Sequence, residues 1–276
     1  MRAVLGVLVL LAACGPSTRD GGAADAPSQG DAGPDTPAVD TSRVFAHSGG
    51  MLYRLNATTL SEVPIGPMTG LGTQSLTDLA IDINDKMVGI TLDKLYDIDP
   101  NTGTVTLIKD LSQSANGFTS LSFVPDPADD TKDILVTAND QGAVFQIDPT
   151  TGNATVIGDY GTAAAGKIRS SGDLFGVRGV GIFATVDVGT TPSEDFLAKI
   201  DPANGWKATL RPNGTGFDKI FGLGYWGGVI YGFVDLGTTM GGKMIQIDPG
   251  TGVGTQLNQS SVRWFGAGVA TDAPIL

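Results

Sequence analysis

Short segments rich in β-branched and apolar residues recur along this chain, and polar turns separate them. In four of these segments about three of every four residues are apolar or aromatic, which is more than a strand with one buried face needs. The four segments occupy residues 95–98, 144–147, 197–200 and 244–247. The pattern therefore predicts short β-strands in sheets that are covered on both faces.

Each of these strands ends in the same turn sequence, Ile-Asp-Pro, with a glycine shortly after the proline. An aspartate opens a turn by bonding to backbone N–H groups, proline presets φ, and glycine accepts a positive φ. A second apolar segment follows each turn, as at residues 104–108 and 153–157. Each turn therefore predicts a hairpin between two strands.

The turns recur with a regular period. Their aspartates are Asp99, Asp148, Asp201 and Asp248, at spacings of 49, 53 and 47 residues. That period is the length of one four-stranded β-propeller blade rather than of a helical repeat. A degenerate fifth copy has Asn56 where the others have aspartate, 43 residues before Asp99. Five copies predict five blades.

The two ends of the repeat region complete each other. Residues 262–269 align with the inner strands of the other blades, but no further strands follow them. Residues 43–46 and 51–55 provide strands for a blade that lacks its inner one. Closing a blade with both termini removes a free sheet edge. The sequence thus predicts an all-β, five-bladed β-propeller closed by N- and C-terminal strands and preceded by a disordered linker.

The N-terminus carries a targeting signal. Met1-Arg2 is a short basic start, an apolar run follows it, and Leu11-Ala12-Ala13-Cys14-Gly15 resembles the lipobox of bacterial lipoproteins. The resemblance implies a signal peptide at residues 1–13 and lipidation of Cys14. Gly15, in place of an aspartate, points to the outer membrane of the cell envelope. The alternative is an ordinary secretory signal with an incidental cysteine.

Residues 16–40 contain almost nothing apolar to bury and are rich in Gly, Ala, Asp and Pro. Such a composition predicts a disordered tether. We therefore divide the chain into a signal peptide at 1–13, a lipidated cysteine with its tether at 14–41, and a propeller at 42–276.

The composition argues against several classes of binding partner and of catalytic site. The formal net charge of −12 argues against nucleic acid and against anionic membrane surfaces, leaving the lipid anchor as the contact with the membrane. Cys14 is the sole cysteine and His47 the sole histidine, and there is no Gly-x-Ser-x-Gly motif. We therefore expect no disulfide, no nucleophilic triad, no multi-histidine metal centre and no catalytic residue.

Alignment of the inner strands places five residues in one column, at one level of the central channel. They are Asp78, Ser120, Asp173, Lys219 and Trp264. Converging polar groups with an aromatic side chain are typical of a small-molecule or sugar site, so the column is the candidate ligand-binding site. The alternative is a channel wall that is polar because water fills the channel.

One loop concentrates carboxylates. Asp126, Asp129, Asp130 and Asp133 lie between two predicted strands, and calcium prefers several oxygen ligands. They are the candidate metal ligands, with calcium as the one cofactor to consider. The EF-hand spacing is absent, so an exposed acidic loop is the alternative.

Taken with the Ile-Asp-Pro turns over residues 42–276, the chain resembles bacterial lipoproteins of the broad YVTN-like and WD-repeat-like β-propeller group. It lacks the Gly-His and Trp-Asp dipeptides of WD repeats. The resemblance implies a scaffold and transfers no catalytic residue. We expect a lipid-anchored extracytoplasmic binding or scaffold protein with a protein or glycan partner. One alternative is a carboxylate-dependent glycoside hydrolase or carbohydrate-binding propeller that uses the central channel, with Asp78 and Asp173 as the carboxyl pair of the hydrolase. Another is a calcium-stabilised structural module.

Overall fold

Five antiparallel sheets form the part of the chain that the computed structural model describes, which is residues 41–56, 58–111, 117–189 and 194–275. From the inner strand outward, blade 1 contains β21 (Gly266–Val269), β1 (Thr41–His47), β2 (Met51–Asn56) and β3 (Ser61–Pro67). Blade 2 contains β4 (Asp78–Ile81), β5 (Met87–Ile90), β6 (Lys94–Ile98) and β7 (Val105–Asp110).

The remaining blades follow in chain order. Blade 3 contains β8 (Ser122–Asp126), β9 (Asp129–Ala138), β10 (Ala143–Ile147) and β11 (Ala154–Asp159). Blade 4 contains β13 (Gly166–Val177), β14 (Gly181–Val188), β15 (Phe196–Asp201) and β16 (Lys207–Gly214), with the short β12 (Thr162–Ala163) beside β13. Blade 5 contains β17 (Ile220–Trp226), β18 (Val229–Asp235), β19 (Gly242–Ile247) and β20 (Gly254–Ser260).

The inner strands contact one another in a closed circle, in the order β4, β8, β13, β17, β21 and back to β4. The predicted five-bladed propeller is therefore confirmed. So is its closure, because the C-terminal β21 pairs antiparallel with the N-terminal β1, with Val44 opposite Val269 and His47 opposite Gly266. We call the side where the inner strands begin the mouth rim, and the opposite side, which carries the Asp-Pro turns, the turn rim.

The repeated turn has the same local bonding in each blade. A side-chain oxygen at its first position accepts the backbone N–H two residues later, in Asn56, Asp99, Asp148, Asp201 and Asp248. Four residues after Asp99, Gly103 has φ 77°, and the corresponding residue of blade 1 is Leu60, with φ 55°. The degenerate copy therefore keeps the turn without its glycine, at the steric cost of a left-handed leucine.

The core lies between the blades, as the strand pattern predicts. All four residues of β5 are buried, so both faces of the strand are covered. Between blades 4 and 5, Phe175 stacks on Tyr225 with ring centroids 5.9 Å apart. Burial of each such apolar side chain stabilises the fold by about 1.5–3 kcal/mol. Stability thus depends on neighbouring blades rather than on any single sheet.

Candidate functional site

Two carboxyl groups meet at the centre of the ring. Asp78, the first residue of β4, and Asp173, in β13, are both fully buried and hydrogen-bond each other through their side chains. Two carboxylates in contact repel unless they share a proton. We call Asp78 and Asp173 the central carboxyl pair.

The pair accepts one backbone N–H group from every blade. Asp78 Oδ1 accepts from Leu79 at 2.8 Å and from Ala267 at 3.2 Å, Asp78 Oδ2 from Leu121 at 2.7 Å, and Asp173 Oδ1 and Oδ2 from Leu174 at 2.5 Å and Leu223 at 2.6 Å. The donors are the N–H groups of equivalent residues in, or directly before, the five inner strands. The pair therefore joins the blades at the axis of the propeller.

The environment of the pair favours its protonated form. Burial is the main cause that raises the pKa of both carboxyls, and the charge of Asp173 raises the pKa of Asp78 further. The N–H bonds oppose this by stabilising the carboxylate form. A single proton shared between the two carboxyls reduces the buried charge and still leaves carboxylate oxygens to accept the N–H groups.

The structure brings three of the five residues of the predicted column to one level of the channel and places the other two elsewhere. Asp78, Ser120 and Asp173 each immediately precede one of the five N–H donors, so these three do share one level of the channel. Ser120 is buried, and its Oγ accepts the N–H of Ala138 at 3.0 Å. It therefore contributes to the same buried layer as the pair.

Lys219 and Trp264 lie outside that level. Lys219 is exposed and precedes β17, with φ 60°. Trp264 is buried between blades 1 and 5, edge-on to Tyr53 and Phe233 with ring centroids 5.3 Å and 5.4 Å away. The residues of blades 5 and 1 that precede the N–H donors are instead Gly222 and Gly266.

The glycine at 266 leaves room for the carboxyl pair. A Cβ atom there would lie 2.5 Å from Asp78 Oδ1 and 2.6 Å from His47 Nε2. Both distances are far below van der Waals contact, so a side chain in blade 1 would displace the groups at the axis. The alignment of polar and aromatic residues missed this position because glycine has no functional side chain.

The single histidine lies beside the pair. His47 ends β1 and is fully buried, and burial lowers its pKa to about 4. Its Nδ1 is 3.0 Å from the carbonyl oxygen of Ser48, whereas Nε2 has no hydrogen-bond partner among the described residues. His47 is therefore a neutral imidazole within the protein interior, where solvent does not reach it.

A pocket of about 200 Å³ opens on the mouth rim, around the channel axis. Its lining comes from all five blades: Phe265 from blade 1, Leu76 and Thr77 from blade 2, Thr119 from blade 3, Ser171 and Gly172 from blade 4, and Phe221 from blade 5. Five of these residues, one from each blade, directly precede the level of the carboxyl pair. We call this pocket the channel mouth.

One buried carboxyl borders the channel mouth. Asp195, between blades 4 and 5, accepts the N–H of Ile220 at 2.8 Å, and its carboxyl interacts with the side chain of Ser171. Burial raises the pKa of Asp195 to about 7. Near neutral pH this group therefore changes its charge next to a residue that lines the pocket.

The turn rim of the channel is occupied by an ion pair from the predicted acidic loop. Asp133 binds Arg178 of blade 4 at 2.7 Å, accepts the Thr271 hydroxyl at 2.9 Å and accepts the N–H of Ile83 at 3.1 Å. These partners come from blade 4, blade 2 and the segment after β21. Asp133 therefore links the ring at the turn rim, opposite the channel mouth.

The other carboxylates of that loop have local partners. Asp126 accepts the N–H of Ala128 at 2.8 Å, and Asp129 pairs with Lys132 at 2.7 Å. Asp130 is exposed. Within the described ranges, no three His, Cys, Asp or Glu side chains are grouped closely enough to bind a metal ion, and these four do not form such a group.

The lipidation candidate Cys14, like the signal peptide and almost all of the tether, lies outside the described residues. Among the residues that are described, no helix has the length and apolar character needed to cross a bilayer.

Comparison with known proteins supports the fold. A symmetrical protein from a study of de novo evolutionary emergence has a TM-score of 0.50 and 16% identity, with 83% of this chain and 98% of that chain covered. A Bacteroides caccae protein of unknown function has a TM-score of 0.47 and 11% identity, with coverage of 83% and 98%. A Xanthomonas campestris gluconolactonase has a TM-score of 0.40 and 14% identity, with coverage of 80% and 73%.

Identities this low establish only that the fold is shared, and the two lower TM-scores carry no further argument. No protein-family model and no curated protein matches the chain. The function must therefore be argued from the site itself.

Proposed function

We propose that this chain is a lipid-anchored, extracytoplasmic binding propeller whose ligand site is the channel mouth. One observation carries the proposal: the pocket takes lining residues from all five blades and lies directly above a fully buried layer of polar groups. Pockets of this kind, apolar with a few converging polar groups, are the usual small-molecule sites of proteins.

The same geometry favours binding over hydrolysis. A carboxylate-dependent hydrolase needs two carboxyl groups that reach the substrate. Asp78 and Asp173 are fully buried, and each of their four oxygens already accepts a backbone N–H. Their role in the folded protein is to connect the blades, which leaves the side chains above them to contact a ligand.

The lipobox at Leu11 to Cys14 supports the anchor and the outer-membrane location that we include in the proposal. The anchor is tested by fractionating cells that express the wild type or Cys14→Ala. We expect the wild type in the outer-membrane fraction and the variant in the soluble periplasmic fraction. Equal distribution of the two proteins would refute the anchor.

The ligand site is tested by blocking it. Full-length protein purified gently from its own cell envelope is analysed by native mass spectrometry for bound small molecules. We expect a molecule bound to the wild type and absent from Thr119→Trp, in which an indole fills the pocket. Thr255→Trp, on the exposed outer strand β20, is the matched control and should retain the molecule. The same bound molecules in both variants would refute the channel mouth as the site.

A further inference from the structure

The channel mouth has a size that restricts its ligand. Its volume of about 200 Å³ is below the roughly 300–1,000 Å³ of pockets for drug-sized molecules. The layer beneath it is filled by the central carboxyl pair and Ser120, all fully buried. A ligand therefore cannot extend down the channel, and the space suits a single small ring.

The lining of the pocket is divided into two chemically different sides. Phe221 and Phe265 come from blades 5 and 1, which are neighbours in the ring. The three hydroxyl residues Thr77, Thr119 and Ser171 come from blades 2, 3 and 4, on the other side of the axis, where Leu76 and Gly172 complete the lining. An aromatic side opposite a hydroxyl side suits a ring with apolar C–H groups and polar substituents.

Two of the three hydroxyl groups are already committed as donors. Thr77 Oγ1 donates to the carbonyl of Ile90 at 3.1 Å, and Thr119 Oγ1 donates to the carbonyl of Ala138 at 3.4 Å. A hydroxyl that donates within the protein still has lone pairs that accept. Ser171 Oγ is buried and has no hydrogen-bond partner among the described residues, so it can donate or accept. The pocket therefore offers acceptors at two threonines and one free hydroxyl, and its ligand must supply donors to the threonines.

The lining of the pocket carries no charge of its own. None of its seven lining residues is charged, although the Asp195 carboxyl borders the pocket next to Ser171. On the aromatic side, the Cζ of Arg263 lies 4.9 Å from the Phe265 ring centroid, and Asp235 neutralises Arg263 through two bonds of 2.8 Å and 2.6 Å. A charged ligand would lose its hydration with no charged lining residue in contact, so the lining favours a neutral one.

From these observations we infer that the channel mouth binds one neutral, hydroxyl-bearing ring of monosaccharide size. The C–H groups of the ring pack against Phe221 and Phe265, its hydroxyls donate to Thr77 and Thr119, and one hydroxyl pairs with the free Ser171 Oγ. The inference rests on the proposed function, because it names the ligand class for that same pocket.

Saturation-transfer NMR on the full-length protein in a sugar-free detergent tests this assignment. The probes are D-glucose, D-galactose and D-mannose, with choline as the cationic comparison. We expect at least one hexose to receive saturation, most strongly at its ring C–H protons. Phe221→Ala and Thr119→Val should each weaken hexose binding by about fivefold or more, since each removes one contact. Thr255→Val, an exposed threonine on β20, should leave binding unchanged.

The outcomes separate this inference from the proposed function. If no hexose binds but Thr119→Trp still removes a co-purifying molecule, the ligand class is wrong and the binding site stands. If choline binds and the hexoses do not, the class is likewise wrong. If hexose binding is equal in wild type, Phe221→Ala and Thr119→Val, the site assignment is overturned. If neither hexoses nor a co-purifying molecule depend on the mouth, the proposed function falls as well.

Discussion

Asp78 and Asp173 hydrogen-bond each other at the axis of the propeller and together accept one backbone N–H from each of its five blades. Inner strands of a propeller present unpaired N–H groups to the channel, and buried donors need partners. Water in an open channel would meet that need. Here two side chains meet it, so the centre of the ring is closed by the protein itself.

Substitution of the pair should destabilise the whole ring. In Asp78→Asn or Asp173→Asn, one carboxyl oxygen becomes an NH₂ group that faces a backbone N–H of Leu121, Leu174 or Leu223. A buried donor left without its acceptor costs about 1–3 kcal/mol. We expect the free energy of unfolding in urea to fall by that amount. The exposed Asp130→Asn is the control, and an equal effect there would contradict the role of the pair.

The pair should make stability depend on pH. Because burial raises the folded-state pKa of both carboxyls, the folded protein binds more protons than the unfolded chain above about pH 4. Stability from the pair is thus fully present below the unfolded pKa and is lost as pH rises through the folded pKa. The slope is about 1.4 kcal/mol per pH unit for each extra proton.

Two other buried groups restrict the pH range in which the contribution of the pair to stability can be measured. His47, with its pKa lowered to about 4, has the opposite effect up to about pH 6.5, and Asp195 acts in the same sense as the pair up to about pH 7. Tyr160, which interacts with Asp173, is also buried, and burial raises its pKa. We therefore compare wild type with the double variant Asp78→Asn/Asp173→Asn, which has no titratable group at the axis, above about pH 7.5. A steeper loss of stability in the wild type is expected as pH rises, and parallel curves would contradict a proton held by the pair.

Gly266→Ala should be strongly destabilising. The added Cβ would meet Asp78 Oδ1 at 2.5 Å, the Asp78 Cα at 2.8 Å and His47 Nε2 at 2.6 Å. Overpacking of this kind costs about 1–3 kcal/mol, seen as a lower midpoint in urea. Gly50→Ala is the matched control, since a Cβ there has nothing within 4 Å. A variant at 266 as stable as the one at 50 would mean that the axis is loosely packed.

Asp133→Ala should weaken the turn rim, since Arg178 would lose its carboxylate partner and the Thr271 hydroxyl an acceptor. Removing one partner of a well-ordered buried ion pair costs about 3–5 kcal/mol, and Arg178 is partly exposed, so the lower end applies. Thermal unfolding measures the change.

A chelator should leave the Tm of the wild type unchanged, because the Asp133 carboxylate already binds the side chains of Arg178 and Thr271. A Tm that falls with chelator would instead support the calcium-stabilised module.

Much of the fold follows from local sequence. The Asp99 turn bonds to the backbone of its own hairpin, so the residues within a few positions of Asp99 determine it. The degenerate copy at Asn56 makes the same bond, which is why counting turns predicts the number of blades. Closure by β21 and β1 follows because the counted strands complete a ring only in that way.

The candidate site follows from sequence only in part. Asp78, Ser120 and Asp173 were aligned in register because a polar residue precedes an apolar strand in each. Lys219 and Trp264 were aligned out of register. The equivalent positions in blades 5 and 1 hold glycines, and the alignment took a nearby polar or aromatic residue in place of each glycine. Phe221 and Phe265 immediately precede those glycines, so the corrected register would have identified them as lining the mouth.

The sequence by itself determined the turns, the strands, the five blades and the closure of the ring, because each depends on short-range hydrogen bonding and on the period of the repeat. Only the tertiary structure decided what occupies the axis. Asp78 and Asp173 are distant along the chain, and the space they share exists because Gly266 lacks a side chain. Which groups meet at the centre of a ring depends on the packing of all five blades at once, and no single repeat contains that information.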